Sequence, residues 1–205
     1  MITLYGYPNT RSTRAAWALE EVGAVYDYVK IDVSKGEGRS PAFLRINPGG
    51  KVPALADGDL LLTESAAIVT YVGDLYSEAG LTPKPGTHHA RAHYHQWCFF
   101  ALAELEQPLW TIAKHRFALP EDWRVPAVID TARKEFAVTL KVLETGLGDK
   151  PFILGETFTA ADILIALILA WAKKAGLLPE CEPWTAYLGR TLARPALARA
   201  RAREA

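Results

Sequence analysis

Apolar and polar residues follow two different periods along the first 80 residues, and together they predict a small α/β unit. Residues 2–5 and 26–33 have the short or alternating apolar pattern of strands, whereas 12–22 places its apolar residues at helical spacing. Gly23 follows that helix, where a C-terminal glycine is favoured. With a short helix over 41–46, two hairpin strands and a further helix, the predicted order is β-α-β-α-β-β-α.

The most informative segment runs from Asn47 to Ser65, with the sequence NPGGKVPALADGDLLLTES. Pro53 cannot donate a hydrogen bond and fits a central strand poorly. We therefore expect it at the lip of an edge strand, with a cis peptide bond and a Val52 backbone left open to an extended ligand. Asp57-Gly58 is a hairpin turn signal. Ser65 is a good N-cap, and a helix start offers unpaired N–H groups and partial positive charge, which suits a short peptide ending in a carboxylate.

Beyond residue 88 nearly every pattern is helical. The segment GLTPKPGTHH, rich in proline and glycine, marks the boundary before it. We therefore predict an α/β domain over 1–80, a linker over 81–88 and an all-helical domain over 89–205. Within the helical domain, proline and glycine clusters separate helices at roughly 88–116, 124–146, 160–175 and 183–193.

Two segments of the helical half, a capping-box motif and the basic C-terminal segment, allow specific predictions. Thr159 and Asp162 have the spacing of a capping box, and Phe158 and Ile163 that of a hydrophobic staple. This pattern predicts a buried helix start rather than a catalytic carboxylate. The C-terminal segment ALARARAREA is basic and low in complexity, and we interpret it as a solvated or frayed helix end rather than a nucleic-acid patch.

Composition argues against several classes of protein. The chain has 205 residues, and its 23 basic residues balance 23 acidic ones, so no net field favours nucleic acid or an acidic membrane surface. No apolar run is long enough to span a membrane, and the N-terminus lacks a secretory-signal pattern. Cys98 and Cys181 form no CxxC motif, so we expect a reducing cytoplasm. His89 and His93 have i, i+4 spacing, but without an acidic motif we assign no metal site.

Three motifs together resemble the cytosolic glutathione transferase family, in its broad bacterial group. NPGGKVPAL and LTESAAIVTYV match the N-terminal part of that family, and FILGETFTAADI matches its C-terminal part, in the same order and at the same spacing. The resemblance spans nearly the whole chain. It implies a thioredoxin-like domain followed by a helical bundle domain, with glutathione as co-substrate and no metal.

The resemblance implies how this chain would hold glutathione. The Val52 backbone, next to Pro53, would pair with the cysteinyl part of the peptide. Glu64 would face the ammonium of the γ-glutamyl end, while the Ser65 hydroxyl and N–H would take its carboxylate; the alternative for both is a plain helix cap. Lys51 would neutralise the glycyl carboxylate, and its alternative is a solvated surface lysine.

The reaction needs a donor that stabilises the glutathione thiolate, because a free thiol with a pKa of about 8.5 is mostly protonated at neutral pH. The family places this donor, a Tyr, Ser or Cys, at the end of the first strand or the start of the first helix. The segment YGYPNTRSTR contains no cysteine, which argues against mixed-disulfide chemistry there. Our candidates, in order, are Thr10, Ser12, Asn9 and Tyr5. Those that do not activate the thiol would cap the helix, and Tyr5 also fits an ordinary core strand residue.

Arg11 and Arg14 lie in the same segment. One of them would add positive potential near the thiolate. The alternative is a surface arginine paired with Glu20 or Glu21, or a contact between domains.

The electrophile pocket is expected between the two domains. Family members usually form homodimers, and an acidic or amide side chain of the partner often touches glutathione. Phe99 stands near the position where some members carry such a polar group, which puts that contact in doubt here. The apolar candidates for the pocket are Tyr7, Phe99, Phe100, Trp110 and Phe117.

These observations favour a glutathione transferase that attacks a small hydrophobic electrophile. The alternative is a non-catalytic binding or scaffold protein of the same fold, because no unambiguous Tyr, Ser or Cys occupies the activating position. A thiol–disulfide oxidoreductase of the thioredoxin type would need a cysteine pair that the chain lacks.

Overall fold

The structure, a computed structural model, describes residues 1–205 and divides into two compact units. The first unit comprises residues 1–87 and 192–205, and the second comprises 88–191. The predicted division differs at the C-terminus, since it assigned everything after residue 88 to the helical domain. The reason lies in the last helix, which packs on the first helix of the chain.

The first unit is a four-stranded mixed sheet with helices, and the predicted order of its elements is confirmed. The sheet order is β2-β1-β3-β4, with β1 and β2 parallel and the other neighbours antiparallel. The strands are β1 (Ile2–Gly6), β2 (Tyr26–Lys30), β3 (Ala54–Asp57) and β4 (Leu60–Thr63). The helices before the second unit are α1 (Ser12–Glu21), α2 (Pro41–Leu44) and α3 (Ser65–Leu75).

The core of this unit follows from the two periods in the sequence. Ile2 and Leu4 alternate with half-buried residues along β1, as expected for a strand with one fully buried face. Helix α1 covers the sheet with apolar side chains such as Trp17 and Leu19, and α3 adds Ile68 and its neighbours. Gly23, just after α1, has a φ of +67°, the left-handed conformation that glycine adopts without strain.

The position of Pro53 differs from the sequence-based expectation. The Val52–Pro53 peptide bond is cis, as predicted. However, β3 lies between β1 and β4, so the prediction of an edge strand was wrong. Pro53 is tolerated because it stands one residue before Ala54, the first residue of β3 in the ladder, and no neighbouring strand needs its missing N–H.

The C-terminal segment is a helix, α9 (Pro195–Glu204), and not a frayed end. Its apolar residues Ala196, Leu197 and Ala200 are buried, and it packs against α1. Helix α1 contains Ala15, Ala16 and Ala18, and small side chains let packed helices approach closely. Sequence reasoning missed this contact because ALARARAREA shows too few large apolar residues to predict burial.

Ion pairs between α1 and the last helices support that packing. Arg194 Nε and Nη2 donate to the two oxygens of Glu21 at 2.6 and 2.7 Å. Arg199 Nε donates to Glu20 at 2.9 Å, and Arg203 lies 3.4 Å from the same carboxylate. The bidentate geometry of the first pair makes it the strongest of the three.

The second unit is all-helical. One helix is predicted over roughly 88–116, and the structure interrupts this run with π-helical turns at 101–105 and 114–118. Pro108 has no N–H to continue the usual ladder, which explains the interruption before it. The helices are α4 (His88–Phe100), α5 (Glu106–Ala113), α6 (Val128–Leu147), α7 (Ala160–Lys174) and α8 (Glu182–Leu192). None of the helices in the structure is both long and apolar enough to cross a membrane.

The predicted capping box at the start of α7 is confirmed. The buried Asp162 carboxylate accepts hydrogen bonds from the Thr159 N–H at 2.9 Å, the Ile153 N–H at 2.8 Å and the Tyr187 hydroxyl at 2.9 Å. The Asp162 side chain therefore connects the segments that contain Ile153, Thr159 and Tyr187, and its role in the helical unit is structural.

Replacing Leu197 with alanine tests the packing of α9. Leu197 is 0% exposed, so Leu197→Ala is expected to lower the free energy of unfolding by about 2–4 kcal/mol in urea titrations. Leu75→Ala is the matched control, because Leu75 is 49% exposed at the end of α3 and its loss is expected to change stability by about 1 kcal/mol or less. Equal, small effects in the two variants would mean that α9 is frayed after all.

A second test concerns Glu204, which is buried at the end of α9 and accepts hydrogen bonds from the Thr13 hydroxyl at 2.9 and 3.1 Å. Burial raises the pKa of Glu204 from its ordinary 4.5 to about 7, against the opposing effects of Thr13 and Arg201. Folding therefore takes up a proton between about pH 4.5 and pH 7, and the contribution of Glu204 to stability falls as the pH rises through this window.

Glu204→Gln keeps an acceptor for Thr13 but cannot ionise. We expect its stability relative to the parent chain to increase steadily from pH 4.5 to pH 7 and to level off above that range. Urea unfolding at a series of pH values measures this difference, and the exposed Glu144→Gln serves as control. Parallel stability curves for Glu204→Gln and the parent chain would contradict the assignment.

Candidate functional site

The register of the sheet brings three distant segments to one end of the first unit. Tyr5 near the end of β1 pairs with Ala54 at the start of β3, which pairs in turn with Thr63 at the end of β4. The loop after β1, the residues before β3 and the residues after β4 therefore leave the sheet at the same end. These are the segments 7–11, 51–53 and 64–65, which hold most of the candidate glutathione-site residues.

Tyr7 and Thr10 of the first segment form a hydrogen-bonded group with Ser12, the first residue of α1. The Thr10 hydroxyl donates to the Tyr7 carbonyl at 2.7 Å, and Thr10 Oγ1 lies 2.9 Å from Ser12 Oγ. Ser12 Oγ also accepts from the Tyr7 N–H at 3.2 Å. Thr10 is half-buried, whereas Ser12 is 0% exposed and so has no access to a ligand in solution.

The remaining two activation candidates lie apart from this group. Asn9 is exposed and has a φ of +58°, a left-handed conformation that asparagine tolerates better than most residues. Tyr5 is half-buried on β1 with its ring 6.2 Å from that of Phe43, in the way of an ordinary strand residue. The Tyr7 hydroxyl lies 3.3 Å from Ser34 Oγ.

Asn47 shapes the segment before β3. Its side chain accepts from the Gly49 N–H at 2.9 Å and donates to the Lys51 carbonyl at 2.6 Å, which folds NPGGK into a compact turn. No backbone group of the protein pairs with the N–H or carbonyl of Val52, which lies just beyond the end of the ladder. Lys51 is exposed, with its ammonium in solvent.

The turn into α3 holds Glu64 and Ser65 in an unusual arrangement. Glu64 is exposed and occupies the cap position with a φ of +65°, a strained conformation for a residue with a long side chain. Ser65 is the first helical residue and not the N-cap, so that prediction was wrong. Its buried hydroxyl accepts from Arg14 Nη1 at 3.2 Å instead of capping the helix.

Arg14 is the part of this arrangement that the sequence did not specify. It is buried in the first turn of α1 and donates to Ser65, so it is not the surface arginine paired with Glu20 or Glu21 that the sequence allows as an alternative. Those two carboxylates are engaged by arginines of the C-terminal segment. The only sequence signal was its place on a helix face that is otherwise apolar.

The electrostatics at this end of the sheet favour an anion. Helices α1 and α3 both begin here, and each helix start offers unpaired N–H groups and partial positive charge. The Arg14 guanidinium adds a buried positive charge directly behind Ser65. The exposed Glu64 carboxylate lies next to this region and would attract an ammonium group.

The other aromatic candidates belong to the second unit. Phe99 and Phe117 are 70% and 68% exposed, whereas Phe100 is half-buried with its ring 5.1 Å from that of Trp97. Trp110 is half-buried on α5. No group of three or more His, Cys, Asp or Glu side chains in the structure is placed to hold a metal ion.

Comparison with known proteins assigns the family. Residues 1–74 match the family described as glutathione S-transferase, N-terminal domain, and residues 126–203 match its C-terminal domain. Glutathione S-transferase 3 of Zea mays is 31% identical over 183 residues, which cover 88% of this chain and 82% of the maize protein. The chain belongs to the glutathione S-transferase family. Its thioredoxin-like N-terminal domain and helical C-terminal domain are thereby confirmed.

Two further proteins are similar to this chain over most of its length. The disulfide-bond oxidoreductase YfcG of Escherichia coli strain K12 is 31% identical over 195 residues, or 90% of this chain and 88% of that protein. A glutathione transferase homologue from Sulfitobacter, crystallised with bound glutathione, superposes with a TM-score of 0.80 at 28% identity, covering 97% of this chain and 96% of the homologue. Proteins similar to this chain therefore differ in the reaction named for them.

Proposed function

We propose that this chain is a glutathione transferase that stabilises the thiolate of bound glutathione for attack on a small hydrophobic electrophile. The observation that supports it best is the convergence of the three segments at one end of the sheet. There, an unpaired Val52 backbone, an exposed Glu64 and the start of α3 backed by Arg14 offer partners to the cysteinyl and γ-glutamyl parts of the tripeptide. The glutathione-bound Sulfitobacter homologue adds support.

The binding mode follows from these groups. The Val52 N–H and carbonyl pair with the cysteinyl backbone next to Pro53, which would place the thiol towards the loop after β1. The γ-glutamyl carboxylate takes the Ser65 hydroxyl and the free N–H groups of α3, and its ammonium faces Glu64. Lys51 neutralises the glycyl carboxylate.

Thr10 is the residue we assign to the thiol. It is the hydroxyl of the loop that is both near the start of α1 and accessible, since Ser12 is buried and Tyr5 packs against Phe43. A hydroxyl donor and a helix start together stabilise an anion. Lowering the thiol pKa by about two units requires roughly 2.7 kcal/mol, which is within reach of such a pair.

The thiolate then attacks an electrophilic carbon, forming a carbon–sulfur bond, while a leaving group departs or a double bond is saturated. We assign contact with the electrophile to the rings of Tyr7, Phe99, Phe100, Trp110 and Phe117. We further propose a cytoplasmic homodimer with a role in detoxification, as the family resemblance implies.

Thr10→Val tests the thiol assignment, because it removes the hydroxyl and keeps the shape of the side chain. We expect it to raise the pKa of the bound glutathione thiol by about one to two units and to lower kcat/KM at neutral pH roughly ten- to a hundredfold. The thiolate absorbance of the complex and the conjugation of an aryl halide measure the two effects. Thr145→Val, the same change on an exposed part of α6, is expected to alter neither.

The same measurements on the unmutated chain test whether the protein is a glutathione-dependent enzyme or a non-catalytic binding protein. Glutathione that binds without thiolate formation, together with no conjugation, would indicate a non-catalytic binding protein. Failure to bind glutathione at all would reject the proposal.

Reduction of disulfides by glutathione is a second candidate reaction, favoured by the similarity to YfcG. The same bound thiolate would attack a disulfide sulfur, release one thiol and leave a mixed disulfide, which a second glutathione would resolve to glutathione disulfide. No protein cysteine is needed, in agreement with the loop sequence YGYPNTRSTR. Assaying a small disulfide beside the aryl halide separates the two reactions.

Ser65→Ala tests the γ-glutamyl site. Loss of one hydrogen bond to a carboxylate is expected to weaken glutathione binding roughly ten- to a hundredfold in calorimetric titration. Binding of cysteinylglycine, which lacks the γ-glutamyl group, should be unchanged by the same substitution. Ser77→Ala, in the short turn after α3, is the control for both ligands. Equal weakening of both ligands by Ser65→Ala would contradict the assignment.

A further inference from the structure

Arg14 and Ser65 connect the first turn of α1 to the start of α3. Arg14 Nη1 donates to Ser65 Oγ at 3.2 Å, and the two residues are 3% and 4% exposed. A guanidinium carries N–H donors and no acceptor, so the direction of this bond is fixed by its chemistry. Ser65 Oγ is therefore the acceptor, and the proton of the serine hydroxyl is not used in the bond.

The proton of the Ser65 hydroxyl has no acceptor within the protein. A serine inside a helix can donate to the carbonyl four residues earlier, but Ser65 is the first residue of α3 and follows Glu64, whose φ is +65°. The side chain of Ser65 makes one hydrogen bond in the structure, the one that it accepts from Arg14. A ligand at the start of α3 can therefore take this proton.

The backbone at the start of α3 adds further donors. The N–H groups of Ser65, Ala66 and Ala67 donate to no backbone carbonyl, because the first bond of the helix runs from the Ile68 N–H to the Glu64 carbonyl. With the Ser65 hydroxyl, these groups form a set of donors. A carboxylate, which only accepts, matches this set, whereas the NH₂ group of a carboxamide, which only donates, does not.

We propose that Arg14 is a positioning residue that makes the γ-glutamyl site selective for a carboxylate: its guanidinium engages Ser65 Oγ as an acceptor and leaves the serine proton for the ligand. This inference rests on the proposed function and deepens it. Hydrogen bonds in a chain polarise one another, so a hydroxyl that accepts from a cation is a stronger donor to an anion. Arg14 acts through Ser65 and is assigned no contact with the ligand.

The test uses glutathione and an analogue in which a carboxamide replaces the γ-glutamyl carboxylate. The selectivity is the Kd of the analogue divided by the Kd of glutathione, both measured by calorimetric titration. We expect Arg14→Met to lower this selectivity roughly three- to tenfold, mainly by weakening the binding of glutathione. Arg14→Lys keeps a cation and a donor but loses the planar fork, and is expected to give an intermediate selectivity. Thr13→Val, which removes another buried polar contact of α1, should leave it unchanged.

Ser65→Ala provides a second background for the same substitution. There, Arg14→Met is expected to lower the selectivity no further, because the hydroxyl through which Arg14 acts is absent. An equal reduction in both backgrounds, or an unchanged selectivity in the parent chain, overturns the proposal. A purely structural role of Arg14 predicts equal weakening of both ligands, and that result also overturns it.

The same set of variants separates this outcome from misfolding and from failure of the proposed function. Where Arg14→Met does not fold, Arg14→Lys takes its place in both backgrounds, and a selectivity equal to that of the parent chain overturns the proposal. If the parent chain does not bind glutathione, the proposed function itself fails. If it binds glutathione and forms the thiolate while the selectivity does not depend on Arg14, only the role of Arg14 is wrong.

Discussion

Helix α1 is buried along every residue from Ser12 to Glu20, and the first unit is organised by that constraint. Polar side chains inside a protein must find partners, because each unpaired group loses its hydration without compensation. Four residues of this helix carry such groups: Ser12, Thr13, Arg14 and Glu20. Each is paired with a residue outside the helix, in the loop after β1, at the start of α3 or in α9, so the pairings determine which segments can surround the helix.

Two of these pairings build the candidate site, and the other two hold the C-terminal helix. Ser12 binds the loop after β1, and Arg14 reaches the start of α3 at Ser65. Thr13 holds Glu204, while Glu20 meets arginines of α9. One helix therefore links the proposed thiol loop, the proposed γ-glutamyl pocket and the end of the chain, and the side chains of the site are positioned before any ligand arrives.

Local patterns predicted the elements well, because period, turn residues and caps are recorded within a few neighbouring positions. The order of strands and helices, the cis bond before Pro53 and the capping box of Thr159 and Asp162 followed from such signals. The central place of β3 and the role of Ser65 did not follow. An edge strand and a central one have similar sequences when short, and a serine before a helix looks the same whether it caps the helix or accepts from an arginine.

The sequence by itself determined the family, the two kinds of domain and the segments that carry candidate chemistry. Only the tertiary structure decided which hydroxyl of the YPNTRS loop is accessible, where Arg14 lies and that the last helix belongs with the first. The physical reason is that accessibility and pairing depend on residues far apart in the chain, such as Arg14 and Ser65 or Thr13 and Glu204. The local pattern of apolar and polar residues does not indicate which distant residues meet, whereas the packing around the buried helix α1 determines these pairs.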